Sequence, residues 1–73
     1  MRQADTRGSH CPGPLFEVIR LVRECSVGDT VAVIVSDPAA GKSIPTWVSR
    51  AGHTLASIED IENGRRYLIT RNR

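Results

Sequence analysis

The run TVAVIVS at Thr30–Ser36 is β-branched or apolar at almost every position and has no polar face to turn toward water. A strand of that composition belongs centrally in a sheet, with its apolar side chains covered. The cover must come from a chain of only 73 residues. Such a chain holds one small core and sits near the lower edge of independent stability. One domain spanning 1–73 is expected, with any chemistry shallow, solvent-facing and dependent on a partner.

The flanking segments supply that cover. Leu15, Val18, Ile19, Val22 and Cys25 recur at helical spacing, while Glu17, Arg20, Arg23 and Glu24 lie mainly on the other side. Pro12 and Pro14 fit only a first turn, where a missing N–H does no harm, so the helix starts within a residue or two of Cys11. The segment SVGDT, Ser26–Thr30, ends it through Gly28. A second helix presents Ile44, Trp47, Val48 and Ala51 to the core and stops at Gly52, with Pro45 required in its first turn. HTLASIED and RRYLIT read as strands joined around Asn63-Gly64, a hairpin signal, and RQADTR at 2–7 reads as a weak first strand. The order βαβαββ predicts an α/β two-layer sandwich, with two helices on one face of a four-stranded mixed sheet.

Charge and targeting signals exclude more than they propose. The formal net charge is +2, with much of the excess in Arg65, Arg66, Arg71 and Arg73. So mild an imbalance does not identify a nucleic-acid binder; a solvated basic end is the simpler reading. No apolar leader region or membrane-length run is present, which leads to a cytoplasmic expectation. The segment SDPAAGKS has serine at Ser36 where a phosphate-binding loop requires glycine, and Pro45 follows where N–H groups would be needed. No nucleotide or other cofactor is expected.

The two cysteines are a separate question. With one helix over 12–25, Cys11 and Cys25 stand about 20 Å apart at 1.5 Å per residue, too far for a disulfide. Cys25 continues the apolar stripe and reads as core. Cys11 sits between prolines where a helix begins, and unpaired N–H groups and the helix dipole favour a thiolate there. Gly13 leaves the sulfur uncrowded. A half-buried N-terminal cysteine is the plainer alternative. His10 and His53 do not provide the paired spacing of a zinc site, so no metal is expected. His10 is read as an exposed neighbour that tunes Cys11 weakly at most. Trp47 reads as core packing. Lys42, Arg20 and Arg23 are surface charges or docking contacts for an acidic partner.

The segment DTRGSHCPGP, Asp5–Pro14, resembles the N-terminal signature of the TusA/SirA-like sulfur-carrier family. The later SDPAAGKSIPTW at Ser36–Trp47 and AGHTL at Ala51–Leu55 resemble its second block. The likeness spans about Ala4 to Ile69. It implies a βαβαββ sandwich and a cysteine that carries sulfur as a persulfide. Cys11 matches the sulfur-carrying position, Pro12 and Pro14 the prolines at the helix start, and Asp5 and Gly8 the preceding turn. Asp37, Pro38 and Lys42 match the second block, structural or partner-facing; His10 and Arg20 complete the partner-facing candidates. His10 departs from an often apolar position, and Phe16-Glu17 from a more basic helix face. The resemblance also implies a donor, a cysteine desulfurase or a rhodanese, and an acceptor, a DsrE-type protein or a thiolation enzyme. The chain would act as a monomeric carrier with sulfurtransferase-like chemistry rather than as an independent turnover enzyme. It leaves open tRNA thiolation, molybdenum-cofactor biosynthesis and dissimilatory sulfur metabolism. The competing readings are a regulatory or nucleic-acid- or protein-binding module in which Cys11 is incidental, and a thiol-redox enzyme, which would need a resolving thiol from elsewhere.

Overall fold

The computed structural model describes residues 2–9 and 13–73. The elements follow as β1 (Arg2–Asp5), α1 (Gly13–Glu24), β2 (Thr30–Val35), α2 (Ala40–Ala51), β3 (Thr54–Ile61) and β4 (Gly64–Thr70). They form one four-stranded sheet in the order β1-β2-β4-β3, with β1 parallel to β2 and β4 antiparallel to both of its neighbours. The expected mixed sheet with two helices in βαβαββ order is the fold observed. The apolar strand β2 is an inner strand, as its composition requires. Val31, Val33 and Val35 join Val18, Leu21 and Val22 of α1, Ile44 and Val48 of α2, and Tyr67 and Ile69 of β4 in the core. On the other face Ala32 and Ile34 are also buried, flanked in register by Gln3 and Asp5 on one side and Leu68 and Arg66 on the other.

Both helices run antiparallel to the parallel strands they connect, so both begin at the end of the sheet where β1 and β2 finish. The loops Thr6–Ser9 and Ser36–Ala39 therefore meet there.

Four local expectations change. Pro45 is not in the first turn: α2 begins at Ala40, which makes Pro45 its sixth residue. The Asp37-Pro38 turn sets that early start. The Ala39 N–H donates to Asp37 Oδ1, the Ala40 N–H to the Asp37 carbonyl, and the Gly41 N–H to the Pro38 carbonyl. The carbonyl four residues before Pro45 belongs to exposed Gly41, where water can meet it. Second, α1 ends at Glu24 rather than through Gly28. Gly28 lies in the following turn at φ +94° and donates its N–H to the Arg71 carbonyl at 2.7 Å. Third, the hairpin corner is Glu62-Asn63, with Asn63 at φ 62° and Ile61 paired to Gly64. Gly64 serves a different end: a Cβ there would lie 2.6 Å from the Val35 carbonyl oxygen. Fourth, the initial strand stops at Asp5 rather than running to 7, because Thr6 onward forms a turn.

The basic C-terminal end is not a solvated tail. Arg71 Nη1 donates to the carbonyls of Arg23 and Cys25, and Arg73 Nε to that of Ala51. Both residues thereby meet the negative ends of the two helices. Asn72 ties the same strap to Gly52, His53 and Thr54.

Candidate functional site

The turn that leads out of β1 is held from two sides. Thr6 is buried and gives both its N–H and its hydroxyl to the Ile34 carbonyl, each at 2.8 Å. The Ser9 N–H closes the turn on the Thr6 carbonyl at 3.0 Å. Gly8, at φ +88°, donates its N–H to Ser36 Oγ at 2.9 Å, which joins this loop to the one leaving β2. Asp5 accepts the Arg7 N–H and also the Arg7 guanidinium. Those side-chain hydrogen bonds hold the Asp5 carboxyl below the usual carboxylate range. Asp5 and Gly8 thus act in one turn. Thr6 and Ser36, which brace it, carry no sequence signal beyond being small and hydroxylated.

Beyond the turn, Ser9 and Gly13 lie against each other: a Cβ on Gly13 would stand 4.0 Å from Ser9 Cβ. Gly13 opens α1 and Pro14 follows in the first turn, buried against the core. The first turn of α1 carries no acidic side chain, so its N-terminal N–H groups keep their full pull on an anion. His10, Cys11 and Pro12, expected at the start of the helix, lie outside the described residues. Cys25 is buried at 7% exposure and its Sγ donates to the Val22 carbonyl.

The remaining candidates separate into three places. Asp37 lines a cavity of about 450 Å³ at the end of β2, together with Ser36, Asp60, Arg65 and Tyr67. Lys42 lines a groove of about 460 Å³ between the helices with Leu15, Trp47 and Arg50. Arg20 does neither: it pairs with Glu17 at 2.7 Å and Glu24 at 3.0 Å. The Glu17 hydrogen bonds raise its pKa, and Glu17 is lowered in turn. Trp47 is half-buried at the edge of the core and tilted against His53, with ring centroids 5.6 Å apart. Its place at the margin of the apolar stripe was the available signal that it also lines a surface.

Residues 2–71 match the family described as Sulfurtransferase TusA. Two proteins of Archaeoglobus fulgidus, each named "Putative sulfur carrier protein", are similar to the chain. One is 43% identical over 65 residues, covering 89% of each chain. The other is 36% identical over 64 residues, covering 88% of this chain and 83% of the relative. The crystal structure of the SirA-like protein from Desulfitobacterium hafniense superposes over 100% of both chains with a TM-score of 0.85 at 19% identity, a likeness of fold. With a profile match across nearly its whole length and relatives of that identity, the chain belongs to the TusA family of sulfur carriers.

Proposed function

We propose that residues 1–73 act as one sulfur-carrier domain that takes sulfane sulfur onto Cys11 as a persulfide and passes it to an acceptor protein. One observation supports this most. The chain has two cysteines, and Cys25 is buried with its Sγ engaged, which leaves Cys11 for exchange. The Cys11 thiolate attacks the terminal sulfur of a donor persulfide. A new S–S bond forms to Cys11, the donor's S–S bond breaks, and the donor departs as a thiolate. An acceptor thiolate repeats the exchange on the outer sulfur, so no external oxidant or reductant is consumed. The turn built by Asp5 and Gly8, and a helix start at Gly13 and Pro14 without an acidic first turn, suit a thiolate at this point of the chain.

A cysteine desulfurase or a rhodanese fits as donor, and a DsrE-type protein or a thiolation enzyme, including one of tRNA thiolation, as acceptor. A cytoplasmic setting keeps such a thiol reduced. Among the described residues no helix is long and apolar enough to cross a membrane. Incubation with a rhodanese and thiosulfate, or a desulfurase and cysteine, should add the mass of one sulfur atom to the Cys11 peptide, and Cys11→Ser should abolish it. Sulfur on Cys25, or on neither thiol, overturns the proposal. A binding module in which Cys11 is incidental predicts full activity in Cys11→Ser. The engagement of Arg65, Arg66, Arg71 and Arg73 within the chain weighs against its nucleic-acid form.

A further inference from the structure

Most cations of this chain already have partners. Arg2 pairs with Glu24, Arg7 with Asp5, Arg20 with Glu17 and Glu24, Arg65 with Asp60, and Arg66 with Glu59. Arg71 and Arg73 hold backbone carbonyls. Arg23, Lys42 and Arg50 differ: among the described residues no carboxylate reaches any of them, and Lys42 and Arg50 also share a place. Both line the one groove between α1 and α2 already described, whose floor is Leu15 and Trp47. They stand eight residues apart on α2, about 12 Å along the helix axis. That separation matches about four residues of extended chain or two helical turns.

We propose that this groove receives an acidic, apolar segment of the protein with which the chain exchanges sulfur. An apolar side chain of the partner lies on Leu15 and Trp47, and carboxylates at either side meet Lys42 and Arg50. The inference rests on the sulfur-carrier reading for the partner's role. The chemistry of the occupant comes from the groove itself: an apolar floor between two cations that the chain leaves uncompensated. A nucleic acid would satisfy the cations but offers no aliphatic side chain for the floor. Leu15 follows Cys11 by four residues in the sequence.

Trp47 is the chain's one tryptophan and reports directly on occupancy. The probe is a synthetic decapeptide with a central Leu-Phe pair flanked by four glutamates on each side, titrated at low salt. Saturable blue-shifted Trp47 emission is expected, with Lys42→Glu and Arg50→Glu each weakening binding about tenfold. Arg66→Glu makes the same charge change on the opposite face of the sheet and should leave binding unaltered. A lysine version of the peptide should not bind. Equal binding by all three variants overturns the proposal, and so does the absence of a saturable shift. Comparable affinity for a ten-nucleotide oligothymidylate, or a shift caused by self-association of the chain, overturns it as well. Cys11 loading by inorganic polysulfide is read by mass in the same samples. Intact loading without peptide binding sinks the groove alone, whereas peptide binding without loading sinks the sulfur-carrier reading alone.

Discussion

Replacing Gly64 and Gly41 by alanine should change stability in opposite directions, although both lie beside the same cavity. At Gly64 the added Cβ would stand 2.6 Å from the Val35 carbonyl oxygen and 3.2 Å from its carbon. An ordinary carbon–oxygen contact is about 3.3 Å or more, so the overlap is roughly 0.7 Å. The obstructing atom is backbone, in a strand whose Val35 pairs with Arg65, and it cannot swing aside as a side chain would. Overpacking of this kind costs about 1–3 kcal/mol. Lower entropy of the unfolded chain returns about 0.4–1 kcal/mol, which leaves a net loss of about 1–2 kcal/mol. At Gly41, inside α2, the new Cβ would meet only Tyr67 Oη at 3.6 Å, an ordinary contact. Helix propensity then dominates and Gly41→Ala should gain about 0.5–1 kcal/mol. Urea unfolding with a common m-value reads both differences. Thermal midpoints should separate in the same sense, by about 4–8 °C per kcal/mol for a chain of this size. A neutral or stabilising Gly64→Ala would refute the close-approach argument and return Gly64 to the role of a turn glycine.

Three further outcomes follow from named contacts. Burial, then the charges of Arg71 and Arg73, lowers the His53 pKa below its ordinary 6.5, and Nδ1 accepts the Asn72 N–H. A depressed folded pKa stabilises above about 6.5 and loses that contribution as pH falls through the folded value; unfolding free energy should drop between about pH 7.5 and 5.5 and flatten in His53→Gln. Arg71→Ala removes the bonds to the carbonyls of Arg23 and Cys25, with an expected loss of about 1–2 kcal/mol. Arg71→Lys should recover only part of it, because lysine has no counterpart to the Nε that donates to the Arg73 carbonyl; full recovery in thermal melts would contradict this. Cys25→Ala should cost about 1–2 kcal/mol by the core vacancy it leaves, while sulfur loading on Cys11, measured by mass, stays at the wild-type level.

Local patterns were enough for the elements and their order. The apolar run at Thr30–Val35 required an inner strand, the stripes of α1 and α2 specified two core-facing helices, and Cys25 fell on the first stripe. The motif around Cys11 likewise identified the family before any geometry was available, because Asp5, Gly8 and the prolines lie close together in the chain. Contacts between distant residues were not legible in this way. Gly64 looked like a turn glycine because its neighbour is asparagine, yet the atom that requires a glycine is the Val35 carbonyl, far away in sequence. Arg71 and Arg73 looked like a solvated end because the carbonyls they meet belong to two other elements. Ser36 and Thr6 became braces only when β2 was laid beside β1, and Leu15 came to share a groove with Trp47 only when the helices packed side by side. Periodicity and local chemistry decide which face of a segment is buried. Which remote group then meets that face is set by strand order and helix packing, and those placed Lys42 and Arg50 on one groove while committing Arg20 to its own helix.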